Sequence, residues 1–441
     1  MRPESMNSID FGTITNQYRT YPSRWFGLAV LVLLNIMVSW GWLTFSPLVS
    51  QSAEFYHVDE SMVNWLSTIF VFANFAMTIV TLKLLSWGLR PAIITGSTLL
   101  LLGNWVRYAG SRSYADSNIV AVSVGQALIG LSQSVVLSAP TRYSEVWFTS
   151  SGRVSATAIM SLASPAGAAI GQVVSPLWVQ DPSGIGSMVL YVSIISSAVA
   201  VLGFLVPGAP PTPPAPSGII TSRPVLQSLR IFFSSLECFL ILIPFWIFTA
   251  LFISTSSLLN QILSPYGFSD SEAGIGGALI IVAGLAGSAV AAPLIDRTKK
   301  FTAALKLGLA LGSACYLALI WVPSTRSIGG LYGLLCVMGI TSLAIVAVAL
   351  EAMTEFSHPL GPEITSTFAW AGGQLIGGCF ILAGDAMKAG SDAAVPYNMT
   401  SFTIFQAVLA ISVVPVIMSL GMFGRGDKMV LKRTQLDIVS E

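Results

Sequence analysis

Pro207-Gly208-Ala209-Pro210-Pro211-Thr212-Pro213-Pro214-Ala215-Pro216-Ser217-Gly218 is the one long break in an otherwise apolar chain, and its position decides the architecture. Proline has no N–H to donate and a restricted φ, so at this density 207–224 reads as an extended linker rather than a helix. On either side lie regions of nearly equal length, 26–207 and 232–424. A bilayer core about 30 Å thick takes roughly 20 residues of helix per crossing. Six apolar runs of that kind precede the linker, at about 26–49, 62–85, 92–110, 118–139, 154–179 and 187–207. Six follow it, at about 232–260, 272–295, 302–322, 328–354, 364–387 and 399–423. The runs are continuously apolar and do not alternate with period two, which favours helices over barrel strands. The expectation is an all-α polytopic membrane protein of twelve transmembrane helices in two six-helix bundles. Tails 1–25 and 425–441 flank the bundles, and 208–231 joins them.

Composition agrees. The 441 residues are 54% hydrophobic and only 9% charged, against about 25% charged in a soluble domain. Mean hydropathy is +0.77. So few charges cannot clothe a soluble surface, and so much apolar surface excludes a disordered chain. A net charge of +1 supplies no basic field for nucleic acid. With the N-terminus inside, seventeen of the 21 Lys and Arg fall on inner segments, and only Arg107, Arg112, Arg326 and Lys388 fall outside. By the positive-inside rule both termini are expected in the cytoplasm. The polar segment before the first span shows no cleavable signal pattern, so that span is expected to be retained. The plasma membrane is the default address, since the segment 432–441 carries no retention signal.

Catalytic chemistry has little to work with. HExxH, GxSxG and the GxxxxGK[ST] phosphate loop are all missing, which argues against an enzyme and against ATP-driven transport. His57 and His358 are assigned to opposite sides of the membrane, and Cys238, Cys315, Cys336 and Cys379 to four different spans. No metal site and no cofactor are expected. Asn398-Met399-Thr400 is a formal glycosylation acceptor close to the membrane. Ionisable residues within spans are few: Lys83, Arg107, Glu237, Glu351 and Asp385. With none at mid-depth, facilitated transport is preferred to proton coupling, for which Glu351, Glu355 and Glu363 are the carboxylates to consider.

Two small-residue rows, Gly167/Gly171 and Gly373/Gly377, occupy equivalent spans of the two halves and would let helix backbones approach closely. Between the eighth and ninth spans, Asp296-Arg297-Thr298-Lys299-Lys300 puts an acid and cations at a helix end, where they could latch one access state. The matching segment of the first half, Leu82 to Arg90, keeps Gly88 and Arg90 but has no acid.

Two six-helix halves with a central linker, and a loop similar to GxxxDxxGR[KR], resemble the major facilitator superfamily. Three further segments resemble its FLVCR-related branch, whose members carry haem, choline or ethanolamine. Ser254-Thr255-Ser256-Ser257-Leu258-Leu259-Asn260-Gln261 is similar to S-x-S-T-L-L-N-Q. Pro140-Thr141-Arg142-Tyr143-Ser144-Glu145-Val146-Trp147-Phe148 is similar to P-S-R-x-x-x-x-W-F. Glu355 to Pro359, with Glu363 and Gln374, is similar to E-x-x-Y-P…E…Q. The resemblance implies a central solute cavity with Trp40, Gln133 and Gln374 in its wall. Trp42, Ser164, Phe252, Ile253 and Ser256 are further candidates, and a tryptophan face there could hold an ammonium by cation–π attraction. Asn260 and Gln261 would belong to an outer gate, and Arg142, Asp296, Arg297, Glu355 and Glu363 to the inner one. The chain departs from the branch in two places. Ile253 stands where a tyrosine is expected, which removes half of an aromatic cage, and Ala163-Ser164-Pro165-Ala166-Gly167 replaces Gly-Asn-Gln-Leu-Gly, which removes two amides, so a solute less polar than choline is expected to fit better.

The leading expectation is a secondary transporter that moves a small organic solute by alternating access. Partners are that solute and the lipid bilayer; the oligomeric state is open. Export of an amphipathic metabolite or drug is the alternative within the class. A non-transporting receptor or scaffold is the alternative outside it, and the outer loops, all short by this reading, speak against that.

Overall fold

The computed structural model describes residues 19–212, 236–298, 301–356 and 362–421. The first half holds α1 (Ser23–Leu43), α2 (Glu60–Trp87), α3 (Leu89–Ala109), α4 (Ile119–Trp147), α5 (Ser150–Trp178) and α6 (Ile185–Phe204). The second holds α7 (Leu236–Leu263), α8 (Asp270–Thr298), α9 (Phe301–Ala318), α10 (Ile328–Phe356), α11 (Pro362–Ala386) and α12 (Thr400–Ser412). Among the described residues, eleven helices are long and apolar enough to cross a membrane. The twelfth, α3, is as long as α1 at 21 residues, roughly 31 Å at 1.5 Å per residue. It is less apolar because it carries Arg90, Asn104 and Arg107. The expected all-α, twelve-span membrane fold is the one observed.

Where the helices stop differs from the apolar runs, and the reasons are local. The first run to residue 49 is two pieces: α1 ends at Leu43, Pro47 interrupts, and a separate helix covers Val49–Tyr56. That short helix buries Val49, Ala53, Phe55 and Tyr56 against Val122, Ile185 and Met188, covering the end of the first bundle. The connection 44–59 is therefore longer than the short outer loop expected there, and it is structured. In the other direction, α4 runs through Pro140 to Trp147 instead of stopping at 139. A proline removes only one backbone donor, and a buried helix in a bundle can absorb that loss. Pro415 lies just past the break at Val413, where a short helix Val414–Met418 follows α12. Between α2 and α3 the whole turn is Gly88, whose φ of 150° disfavours any residue with a Cβ.

Helix pairing repeats between halves. α1 packs on α5 and α7 on α11; α2 packs on α4 and α8 on α10. The halves meet through α2 with α11 and through α5 with α8. Tyr21 Oη and Thr212 Oγ1, 3.0 Å apart, tie the segment before α1 to the start of the linker. The end of the molecule that holds these segments is called the linker face below, and the opposite end the far face.

Candidate functional site

Alternating helix direction sets the depth of each candidate. Trp40 and Trp42 lie in the last turn of α1, toward the far face; Gln133, Ser164, Phe252 and Gln374 lie near the middles of α4, α5, α7 and α11. Three of the side chains interlock. Ser39 Oγ and Ser164 Oγ are 2.6 Å apart, Ser39 Oγ donates to Gln133 Oε1 at 3.5 Å, and Gln133 Nε2 donates to Ser164 Oγ at 3.4 Å. Each group is buried, so α1, α4 and α5 share one polar node at mid-depth. Ser39 was not a sequence candidate. Its neighbour Trp40 drew attention instead, and only the packing reveals the hydroxyl.

Trp40 is 7% exposed. Its ring leans on Trp178 with centroids 5.6 Å apart, and its Nε1 is buried without a protein partner. Trp42 stacks on Phe70 at 6.2 Å and also leaves Nε1 unpartnered. From opposite halves, Trp42 and Phe252 pack on one apolar cluster of Leu43, Ala168, Ala169, Ala278 and Ile281. This cluster joins α1, α5 and α8 where the halves meet, on the far-face side of mid-depth. Ile253 packs under Gly377 of α11, where an added Cβ would sit 3.0 Å from it, as Trp40 does under Gly171 of α5.

The second half contributes unpartnered polar atoms of its own. Trp246 Nε1 and Thr249 Oγ1 on α7, and Gln374 Oε1 on α11, are buried with no protein partner, as is Asn74 Nδ2 on α2. Gly372 packs against Trp246 and Gly373 against Thr249, which brings this stretch of α11 onto that face of α7. Each such atom left dry costs about 1–3 kcal/mol. Groups of this kind at mid-depth are suited to a solute that brings its own hydrogen-bond partners. Trp246, Thr249 and Asn74 escaped the sequence reading because an isolated tryptophan, threonine or asparagine in an apolar run carries no spacing signal. Ser256 Oγ is also unpartnered, but the Ser256 carbonyl accepts from Gln172 Nε2 of α5 at 2.9 Å. Ser256 thus lies at the contact between halves.

That contact continues to the far face as a polar seam. Asn260 Nδ2 donates to the Pro47 carbonyl at 3.0 Å and to Asp270 Oδ1 at 2.8 Å, and Gln51 Nε2 reaches Asp270 Oδ2 at 3.0 Å. Asn64 Nδ2 donates to Gln261 Oε1 at 3.0 Å and to Asp385 Oδ1 at 2.8 Å. Gln261 Nε2 returns to Asn64 Oδ1 at 3.3 Å and Glu60 Oε2 at 3.4 Å, and Lys388 Nζ pairs with Glu60 Oε2. Asn260 and Gln261 sit in a junction between the halves; Asn64, Asp385, Glu60 and Lys388 complete it and were missed. Asn64 is 197 positions from Gln261 and 321 from Asp385 along the chain, so no local pattern pairs them.

On the linker face, Arg142 pairs with Glu145 one turn along α4 at 3.5 Å, within the first half. Asp296 and Arg297 fall in the last turn of α8, Glu351 and Glu355 toward the end of α10, and Glu363 at the start of α11. The side chains of all five lie outside the described residues, as do Lys299, Lys300 and His358. Asn398 at the start of α12 is engaged locally: Nδ2 donates to the Val395 carbonyl and Oδ1 accepts from the Thr400 amide. Among the described residues no group of His, Cys, Asp and Glu could hold a metal.

A model of the Major Facilitator Superfamily matches residues 31–381. "Solute carrier family 49 member A3" of Danio rerio is 32% identical over 373 residues, covering 83% of this chain and 79% of that protein. "Choline/ethanolamine transporter FLVCR1" of Felis catus is 27% identical over 379 residues, covering 81% and 66%. Among solved structures, a bacterial homologue of the human lysosomal transporter Spinster superposes with a TM-score of 0.68 at 13% identity, over 95% of this chain and 99% of that one.

Proposed function

This chain belongs to the major facilitator superfamily, as a membrane transporter of the FLVCR/SLC49 type, and from that premise we propose that it carries a small organic solute by alternating access of its two halves. The observation that carries the reading is the hydrogen-bonded junction between the halves at one face. At the far face the halves are joined by hydrogen bonds that two bodies could make and break as they rock. At mid-depth, polar atoms stay unpartnered in the same molecule. A sealed far face above a mid-depth set of neutral polar groups is what one state of an alternating cycle requires.

Trp40, Trp42, Gln133, Ser164, Phe252, Gln374 and, newly, Asn74, Trp246 and Thr249 are proposed to form the solute site. Relatives named as choline/ethanolamine transporters make an amine alcohol the first solute to test. A tryptophan face attracts an ammonium, and indole and amide N–H groups suit a hydroxyl oxygen. The far face is proposed to be the outer one, on the Lys/Arg distribution, with both termini and the linker in the cytoplasm of a plasma-membrane protein. Transport is proposed to be facilitative, since the unpartnered mid-depth groups are neutral.

The test is uptake of choline and of ethanolamine into proteoliposomes, with and without an imposed pH gradient. Saturable uptake that equilibrates without a gradient is expected, lowered about tenfold by Trp40→Ala and by Gln374→Ala, the equivalent of about 1.4 kcal/mol. Normal uptake by both variants would remove the site assignment. Accumulation driven by the proton gradient would remove the facilitative reading.

A further inference from the structure

Among the described residues, Arg107 of α3 is the one charged side chain that is wholly buried, at 0% exposure. A cation inside a membrane span costs several kcal/mol unless something compensates it. No carboxylate pairs with it among the described residues. What it meets is the end of α1. Arg107 Nη1 donates to the Gly41 carbonyl at 3.1 Å and to Gln126 Oε1 at 3.0 Å. Gln126 Nε2 of α4 donates to the same Gly41 carbonyl at 2.9 Å and lies 3.5 Å from that of Trp42. The Phe45 ring lies 5.3 Å from the guanidinium carbon.

The last four carbonyls of a helix have no partner within it. In α1 these belong to the turn that carries both candidate tryptophans. Thr44 Oγ1 closes on the Trp40 carbonyl at 2.8 Å, and Arg107 with Gln126 closes on Gly41, between Trp40 and Trp42. A cation also complements the negative end of the helix dipole. The equivalent turn of α7 is held by neutral groups alone: Gln406 of α12 donates to Ser254 Oγ at 3.1 Å and Thr255 Oγ1 at 2.9 Å, and Gln172 of α5 to the Ser256 carbonyl at 2.9 Å.

We propose that Arg107 is a positioning residue for the Trp40/Trp42 pair: by holding the Gly41 carbonyl it sets the rotation of the last turn of α1 and so the direction of both indoles. The significance for transport rests on the solute site proposed above; the positioning itself does not.

The experiment is fluorine NMR of the full chain labelled with 5-fluorotryptophan, without any solute. Trp40→Phe and Trp42→Phe assign their two resonances. Arg107→Gln is expected to shift or broaden both, together with Trp178, which touches Trp40. Trp246, Trp321 and Trp370 in the second half should keep their positions. Arg107→Lys, which preserves a charged donor, should return the pair part of the way toward the wild-type positions. Gln126→Met, which leaves Arg107 in place, should move the same resonances less and serves if Arg107→Gln does not fold. Unmoved Trp40 and Trp42 resonances in the folded variants, or equal movement in the second half, would overturn the proposal. Failure of the transport reading would appear separately, as absent choline uptake by the wild type with the fluorine result intact.

Discussion

The two halves use the same helix pair for the same purpose but hold it differently. In the first half, Gly167 and Gly171 of α5 lie on Ile36 and Trp40 of α1; in the second, Gly373 and Gly377 of α11 lie on Thr249 and Ile253 of α7. Spacing and order match, so Trp40 and Ile253 are structural counterparts. Only the contacting atoms differ. A Cβ on Gly167 would strike the Ile36 backbone carbonyl, whereas one on Gly373 would meet Thr249 side-chain carbons at 2.7 Å and one on Gly377 the Ile253 side chain at 3.0 Å. Backbone cannot turn aside; a side chain can change rotamer. The first half adds the Ser39–Gln133–Ser164 node and the charged Arg107 clamp, while the matching turn of α7 is held by the neutral amides Gln406 and Gln172. At the Gly167 contact the first half is therefore the less yielding of the two.

The comparison is most exposed at the glycines. Gly167→Ala should cost about 3 kcal/mol or prevent folding, at the upper end of overpacking penalties, while its counterpart Gly373→Ala should cost about 1–2 kcal/mol. Thermal unfolding of the two purified variants in one detergent checks the ordering, and equal losses would break the asymmetry. A smaller effect is expected at the junction of the halves. Asn64→Leu strips Asp385 and Gln261 of partners and should cost the closed state about 1–3 kcal/mol. The far face would then open more often, read as faster labelling of a cysteine introduced at Ser256, which lies behind the seal. Unchanged labelling would mean that the apolar contacts alone hold the halves together. The smallest effect belongs to Lys388→Ala. The Glu60–Lys388 pair is partly exposed, with side chains 29% and 21% accessible, and such pairs contribute about 1 kcal/mol or less. Labelling should rise only slightly, and salt should imitate the variant. A change as large as that of Asn64→Leu would make the ion pair, not the amide junction, the principal lock.

The residues proposed for the site that come from the sequence do so because resemblance singles out bulky or amide side chains within apolar runs. Trp40, Gln133 and Gln374 are read that way, and Asn260 and Gln261 stand at a junction between the halves. Ile253, a candidate by resemblance, packs on Gly377 as its counterpart Trp40 packs on Gly171, a contact that spacing along one helix does not disclose. Asp385 and Lys388 were legible only as charges near a membrane boundary. Their roles depend on Asn64 and Glu60, which belong to the opposite half of the chain.

Composition and order along the chain were enough for the membrane and the all-helical, twelve-span fold, because hydropathy and backbone satisfaction in lipid are local properties of a single span; the linker expected at 208–231 lies, from 213 on, outside the described residues. Tertiary structure alone decided which polar atoms are paired and which are left open, which carbonyl the buried Arg107 holds, and which face is sealed. Those are properties of contacts between helices distant in sequence. Their energies depend on approach distances that no periodicity encodes.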